Sequence, residues 1–174
     1  MIALLDLIDS MRAFMETGGD VLWVILLLAI VLWSLVVERF IYLRKVWPVQ
    51  KAEWVSSWAN RQDKHSWKAR CIREQLISEA KQQLEKTVPI IKMLIGLCPL
   101  LGLLGTVTGM IHLFDVMAVT GTGNARAMAS GVSQATIPTM AGMVIAIAGL
   151  YFSNRIEGRT KDAARHLSDL LKHD

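Results

Sequence analysis

Three long stretches without Asp, Glu, Lys or Arg constrain the fold of this chain more than any other feature. They cover residues 21–37, 93–114 and 127–154, and the first continues past a Glu-Arg pair through four more uncharged residues. A transmembrane helix needs about 20 largely apolar residues, and only helices or closed barrels satisfy the backbone in lipid. We therefore predict an all-α integral membrane protein with three transmembrane helices, at residues 21–43, 89–118 and 127–154.

The distribution of basic residues predicts how these helices are oriented. Ten Lys and Arg residues lie between positions 44 and 86, whereas residues 1–20 contain Arg12 alone against four acidic residues. Lys- and Arg-rich loops stay on the cytoplasmic side of the bacterial inner membrane. We expect residues 1–20 and the turn at 119–126 to be periplasmic, and residues 44–88 and 155–174 to be cytoplasmic. This asymmetry accounts for the net charge of +4 without a nucleic-acid partner.

The segments outside the spans have helical patterns of their own. Residues 1–20 place apolar side chains at helical spacing, which predicts an amphipathic helix on the surface of the outer leaflet. From about Ser66 the middle segment is rich in helix-forming residues, and we expect it to run into the second span as one helix bent at Pro89. The tail at 155–174 is predicted to be a helix that packs against it.

Glu38 and Arg39 interrupt the first span close to its predicted cytoplasmic end. Long charged side chains can bury their stems in lipid and extend their charged groups to the interface. We expect an exposed ion pair at this depth rather than a functional charge.

The second span contains a row of small residues beside hydroxyl groups. Glycine rows let transmembrane helices approach closely, so a packing seam is the simplest interpretation. The hydroxyls either bond back to their own helix or line a polar pathway. The residues concerned are Pro99, Gly102, Gly105, Thr106, Thr108 and Gly109.

The third span is unusually polar for a helix in lipid. Pro138 has no amide hydrogen and its ring clashes with the carbonyl four residues earlier, so the carbonyl of Gln134 is released. Either the polar groups satisfy one another in a kinked helix, or they line a polar cavity. They are Ser130, Ser133, Gln134, Thr136 and Thr139.

Sites for chemistry or metal binding are not indicated. No span has a carboxylate at its centre, and the two cysteines, Cys71 and Cys98, are far apart in sequence. No nucleophile-base pairing, phosphate loop or metal-ligand spacing is present. We therefore expect neither an enzyme nor a cofactor.

Residues 99–109 and residues 130–142, which read SGVSQATIPTMAG, together resemble the MotA/TolQ/ExbB proton-channel family. The separation of the two motifs, the three-span layout and the basic middle segment fit as well, and the chain is most similar to a short form of ExbB. The resemblance implies a ring of subunits, a homopentamer, around an ExbD-like single-span partner that supplies a membrane aspartate. With a TonB-like protein, such a complex uses the proton motive force to energise uptake across the outer membrane.

The resemblance also implies roles for particular residues. Thr106 and Thr139 correspond to hydroxyls that line the family's channel. Many ExbB and TolQ sequences have a glutamate where this chain has Gln134, which argues against titration by this subunit itself. The resemblance and the pattern together assign channel lining to Thr106, Gln134, Thr136 and Thr139, kinks to Pro99 and Pro138, and helix packing to Gly102, Gly105, Gly109 and Gly142.

Three functions remain open on the sequence. The chain is an ExbB-type motor subunit, a TolQ-type subunit of the Tol-Pal envelope system, or a passive three-helix membrane scaffold. A flagellar MotA-type subunit is disfavoured because such proteins have four spans. The neighbouring genes would discriminate among the three.

Overall fold

The computed structural model describes the backbone of residues 2–61, 66–120 and 125–171, with side chains except at 2–18, 120, 125–127 and 130. These ranges contain helices and no strand. The elements are α1 (Ile2–Ile41), a π-helical turn (Tyr42–Val46), α2 (Trp47–Ala59), α3 (Trp67–Glu85), α4 (Val88–Thr120) and α5 (Ala125–Leu170).

The helical runs Gly19–Ala59, Trp67–Val119 and Gly131–Leu170 are each long and apolar enough to cross a membrane. The prediction of an all-α membrane protein with three transmembrane helices is thus confirmed. The exact boundaries of the spans, their orientation in the membrane and the assembly of subunits into a ring remain predictions.

Helix α1 is interrupted at Gly19, whose φ of 69° and ψ of −171° lie outside helical geometry. Glycine adopts a positive φ without the steric cost that a Cβ would impose. The break separates residues 2–18 from the first apolar stretch. The predicted amphipathic face of residues 1–20 concerns side chains outside those described, so it remains a prediction.

The first span does not end as a helix at residue 43 but continues through the π-helical turn into α2. In this turn the amide of Trp47 donates to the carbonyl of Tyr42, five residues earlier. The wider turn directly precedes Pro48, whose ring would clash with the carbonyl of Arg44 in regular α-helical geometry.

The middle segment differs from the predicted single helix bent at Pro89. Helix α3 ends at Glu85 and α4 begins at Val88, so the break lies at residues 86–87. Pro89 is in the first turn of α4, and because it has no amide hydrogen it cannot donate to the carbonyl of Glu85, the last residue of α3.

The chain divides into two compact units, one of residues 1–32 and 93–149, the other of residues 33–92 and 150–174. In the second unit, α2, α3 and the end of α5 share a buried core that includes Trp58, Ala80, Leu84 and Leu167. Arg73 of α3 donates from Nε to the carbonyl of Leu171 at 2.7 Å, which satisfies an acceptor at the end of α5.

Arg39 is buried, so the expectation of an exposed ion pair with Glu38 was wrong. Its side chain is 3% exposed, and its guanidinium donates to the carbonyls of Gln83 and Leu84. These carbonyls belong to the last turn of α3, where intrahelical donors are missing. The guanidinium carbon also lies 4.6 Å from the centre of the Tyr42 ring. Arg39 therefore joins the first span to the end of α3.

In the first unit, α1 buries one side only. Leu22, Ile25, Ala29 and Leu32 are buried, and their spacing of three and four residues places them on one face. Leu27 and Ile30, on the opposite side, are 65% and 63% exposed, as suits a surface in contact with lipid. The candidate site is built on the contact between the other two helices of this unit, α4 and α5.

Candidate functional site

The candidate site is built on a glycine seam, which we define as the contact of Gly102, Gly105 and Gly109 of α4 with α5 and of Gly142 of α5 with α4. The α4 glycines recur at intervals of three and four residues, so they lie on one face of the helix. A Cβ added at Gly109 would lie 2.8 Å from Ala135 Cβ, and one added at Gly105 would lie 2.5 Å from Pro138 Cβ. The seam thus has no room for larger side chains at these positions.

At the other end of the seam the neighbours are backbone atoms. A Cβ at Gly102 would lie 2.9 Å from Thr139 Cα, and one at Gly142 would lie 2.5 Å from the carbonyl oxygen of Cys98. Backbone atoms cannot turn away as a flexible side chain can. The structure therefore places all four glycines that the sequence assigned to helix packing at the contact between α4 and α5.

Thr139 forms a hydrogen bond across the seam. Its Oγ1 donates to the carbonyl oxygen of Gly102 at 2.9 Å, so the two helices are joined by a polar contact within an apolar segment. In lipid, interhelical hydrogen bonds of this kind contribute roughly 0.6–2 kcal/mol. The hydroxyl oxygen keeps acceptor capacity after donating its proton.

The other predicted channel-lining hydroxyls bond within their own helices. Thr106 Oγ1 donates to the carbonyl of Leu103 at 2.7 Å, and Thr136 Oγ1 donates to that of Ser133 at 2.7 Å. Thr136 is exposed and Thr106 half-buried. These hydroxyls are therefore accessible from outside the helix pair, with one oxygen each available to accept a hydrogen bond.

A cavity of about 590 Å³ opens in the first unit between the Gly19 break of α1 and the helices α4 and α5. Gln134 lines it, and so does Pro138, which faces Gly105; Thr106, Thr136 and Thr139 do not. The structure thus separates Gln134 from the three threonines with which the sequence grouped it. The polar side chains that line the cavity are Asp20, Thr108, His112 and Gln134.

Asp20 was not among the predicted site residues, and for Thr108 the sequence left a polar pathway and a bond to its own helix open. Asp20 immediately precedes the first charge-free stretch, and Thr108 follows the glycine motif, so both could be noticed in sequence. Their meeting with Gln134, however, depends on the break at Gly19 and on the pairing of α4 with α5. Pro99 and Pro138 both lie inside continuous helices, and the predicted kinks remain predictions.

The site has polar groups but no carboxylate at its centre. Asp20 and His112 are its titratable side chains, and they lie near the start of the first charge-free stretch and the end of the second. No cluster of metal-ligating side chains occurs within the described ranges. The arrangement can hold water and hydrogen-bond a polar group.

Known proteins show similarity to this chain. Residues 48–169 match the model of the MotA/TolQ/ExbB proton channel family. A Synechocystis biopolymer transport protein named ExbB-like 1 is 47% identical over 64 residues, 35% of this chain and 25% of that protein. ExbB-like 3 of the same organism is 43% identical over 63 residues, 35% of this chain and 30% of the relative.

A third relative is the biopolymer transport protein exbB1 of Vibrio cholerae, 36% identical over 72 residues, which are 41% of this chain and 32% of the relative. The chain therefore spans between a quarter and a third of the length of these proteins. The family match itself extends over residues 48–169, well over half of the chain, and includes both motifs and the glycine seam. On this match, the chain belongs to the MotA/TolQ/ExbB proton channel family.

Proposed function

We propose that this chain is the ExbB-type subunit of a proton-driven complex in the bacterial inner membrane. In this proposal it forms a homopentameric ring around an ExbD-like single-span partner. The complex uses the proton motive force to energise a TonB-like protein and thereby uptake across the outer membrane. Family membership and the ExbB names of the relatives support this choice over a TolQ-type subunit.

One observation carries the proposal: α4 and α5 present hydroxyl groups without any carboxylate in the apolar middle of either helix. Thr106 and Thr136 each retain an acceptor oxygen on the outer surface of the helix pair. Such oxygens can hold a water chain or a protonated carboxylic acid of a partner. The chain is therefore suited to line a pathway whose titrating group comes from another protein.

The available energy is sufficient for mechanical work. Each elementary charge that crosses the membrane releases about 2.3 kcal/mol per 100 mV. The free energy released by a few protons per cycle would thus exceed the energy of the single interhelical hydrogen bond from Thr139 to Gly102. The rigid seam would transmit a movement of the partner as a displacement of the whole helix pair.

The test is siderophore uptake by bacterial cells whose native ExbB-type and ExbD-type genes are deleted. These cells express this chain together with its partner genes. Thr106→Val removes a hydroxyl at nearly constant volume, and we expect assembly to persist while uptake falls at least tenfold. Thr106→Ser keeps the hydroxyl and should retain uptake. Normal uptake by Thr106→Val would refute a role for this hydroxyl in the pathway.

Thr139 needs a separate control because its hydroxyl bonds to Gly102. Thr139→Val should lower both uptake and the stability of the purified chain, whereas Thr139→Ser should restore both. If Thr139→Val impairs stability alone and uptake is normal, Thr139 is a packing residue and not part of the pathway. Complementation of a Tol-Pal defect instead of a TonB-dependent one would assign the chain to the TolQ type.

A further inference from the structure

A second cavity, of about 520 Å³, lies in the other unit, between the π-helical turn and α5. Its walls are aromatic and basic. We name it the basic pocket, and it is lined by Phe40, Leu43, Arg44, Trp47, Arg159 and Ala163.

The basic pocket lies at the depth where the hydrocarbon ends. Arg44 is the first basic residue after Arg39 in the first span, and Arg159 follows Arg155, the first charge after the third span, by four residues. Phe40, four residues before Arg44, is 39% exposed, so an aromatic ring lies on the surface near the first of these charges. Both guanidinium groups are therefore placed at the membrane surface rather than in bulk solvent.

The charges of the basic pocket are not compensated by the protein. No carboxylate lines it, and within the described part of the chain neither Arg44 nor Arg159 forms an ion pair. Glu157, only two residues from Arg159, is instead bound to Lys92 at 2.6 Å and to Lys161 at 3.0 Å. Two positive charges thus face a cavity with no negative partner.

Arg159 also contacts an aromatic ring of the basic pocket. Its guanidinium carbon lies 5.2 Å from the centre of the Phe40 ring, within the range of a cation-π contact. The N–H bonds lie in the plane of the guanidinium and match the spacing of phosphate oxygens. The oxygens of one phosphate in the basic pocket could accept hydrogen bonds from both Arg44 and Arg159, which line it.

We propose that the basic pocket binds the phosphate diester headgroup of an anionic phospholipid, with its acyl chains beside Phe40 and Leu43. Basic pockets between transmembrane helices at the membrane surface recognise such headgroups. The lipid comes from the leaflet on the side of residues 44–88. The proposal requires only that the chain spans a membrane and is independent of the proton-driven function.

Native mass spectrometry of the purified full-length assembly, titrated with phosphatidylglycerol or phosphatidylethanolamine, tests this proposal. We expect phosphatidylglycerol to bind more tightly, and Arg44→Gln together with Arg159→Gln to weaken its binding at least tenfold. Each single change should weaken binding about fivefold. Arg44→Lys together with Arg159→Lys should retain most of the affinity because both charges remain.

Lys45→Gln and Arg165→Gln are matched controls, since each removes one positive charge from the same helices outside the basic pocket. They should change the affinity less than twofold.

The proposal is overturned if the glutamine double variant binds phosphatidylglycerol as the wild type does, or if the controls lose as much affinity. It is also overturned if inorganic phosphate or glycerol phosphate competes at concentrations equal to the lipid, which would indicate a site for a free anion. Unchanged thermal unfolding of the lysine double variant verifies that the pocket remains folded.

Discussion

Replacing Gly142 with alanine tests whether the glycine seam sets the distance between α4 and α5. The added Cβ would lie 2.5 Å from the carbonyl oxygen of Cys98, about 0.9 Å short of ordinary contact, which begins at 3.4 Å. The obstructing atom belongs to the backbone of α4, so one helix has to move. Overpacking of this kind costs about 1–3 kcal/mol, and the better helix propensity of alanine offsets about 0.5–1 kcal/mol. We expect a net destabilisation of about 1–2 kcal/mol.

Two other glycines provide matched controls for this change. A Cβ at Gly158, on the same helix, or at Gly96, on the facing helix, meets nothing within 4 Å. Gly158→Ala and Gly96→Ala should therefore be neutral or stabilising, because only the gain in helix propensity applies.

The assay combines thermal unfolding in detergent with thiol labelling in a Cys71→Ser background. Cys98 is fully buried beside Gly142, so a membrane-permeant maleimide should label it slowly in the wild type and faster in Gly142→Ala. Should Gly142→Ala unfold at the same temperature as Gly158→Ala with Cys98 still protected, the seam does not determine the helix spacing.

Three further predictions concern other parts of the chain. Arg39→Met leaves the carbonyls of Gln83 and Leu84 without their donor, so it should destabilise the chain by about 1–3 kcal/mol. Amide hydrogen exchange in the last turn of α3 should become faster. Arg155→Met, at an exposed position, is the control, and equal exchange in both variants would contradict the capping role of Arg39. Hydrogen bonds from Lys92 and then Lys161 hold the pKa of Glu157 below its ordinary value of 4.5, so the stabilisation by Glu157 is present above pH 4.5 and lost as the pH falls through the lowered pKa. The wild type should therefore be more stable than Glu157→Gln at pH 7, and the two should converge in acid. A difference in unfolding free energy that does not narrow in acid would count against the ion pair. Cysteine placed at Ser10 should react with an impermeant reagent in intact cells and cysteine at exposed Ser57 should not, whereas the opposite pattern would reverse the orientation.

The sequence alone determined the fold class and the number of spans. Three charge-free stretches of sufficient length are local properties, and lipid leaves a backbone of that length almost no alternative to a helix. The same applies to the packing glycines, because intervals of three and four residues place them on one face whatever helix they meet. The motifs at 99–109 and 130–142 were recognisable for the same reason.

Only the tertiary structure decided which groups meet. Thr139 bonds to Gly102, 37 residues away, and Arg39 reaches carbonyls 44 and 45 residues away, so local pattern could not distinguish a buried cap from an exposed charge. Gln134 lines a cavity together with Pro138, four residues later on the same face, whereas Thr139 is five residues away and points to a different side of α5. The helices that pack against α5 determine which of these sides is enclosed.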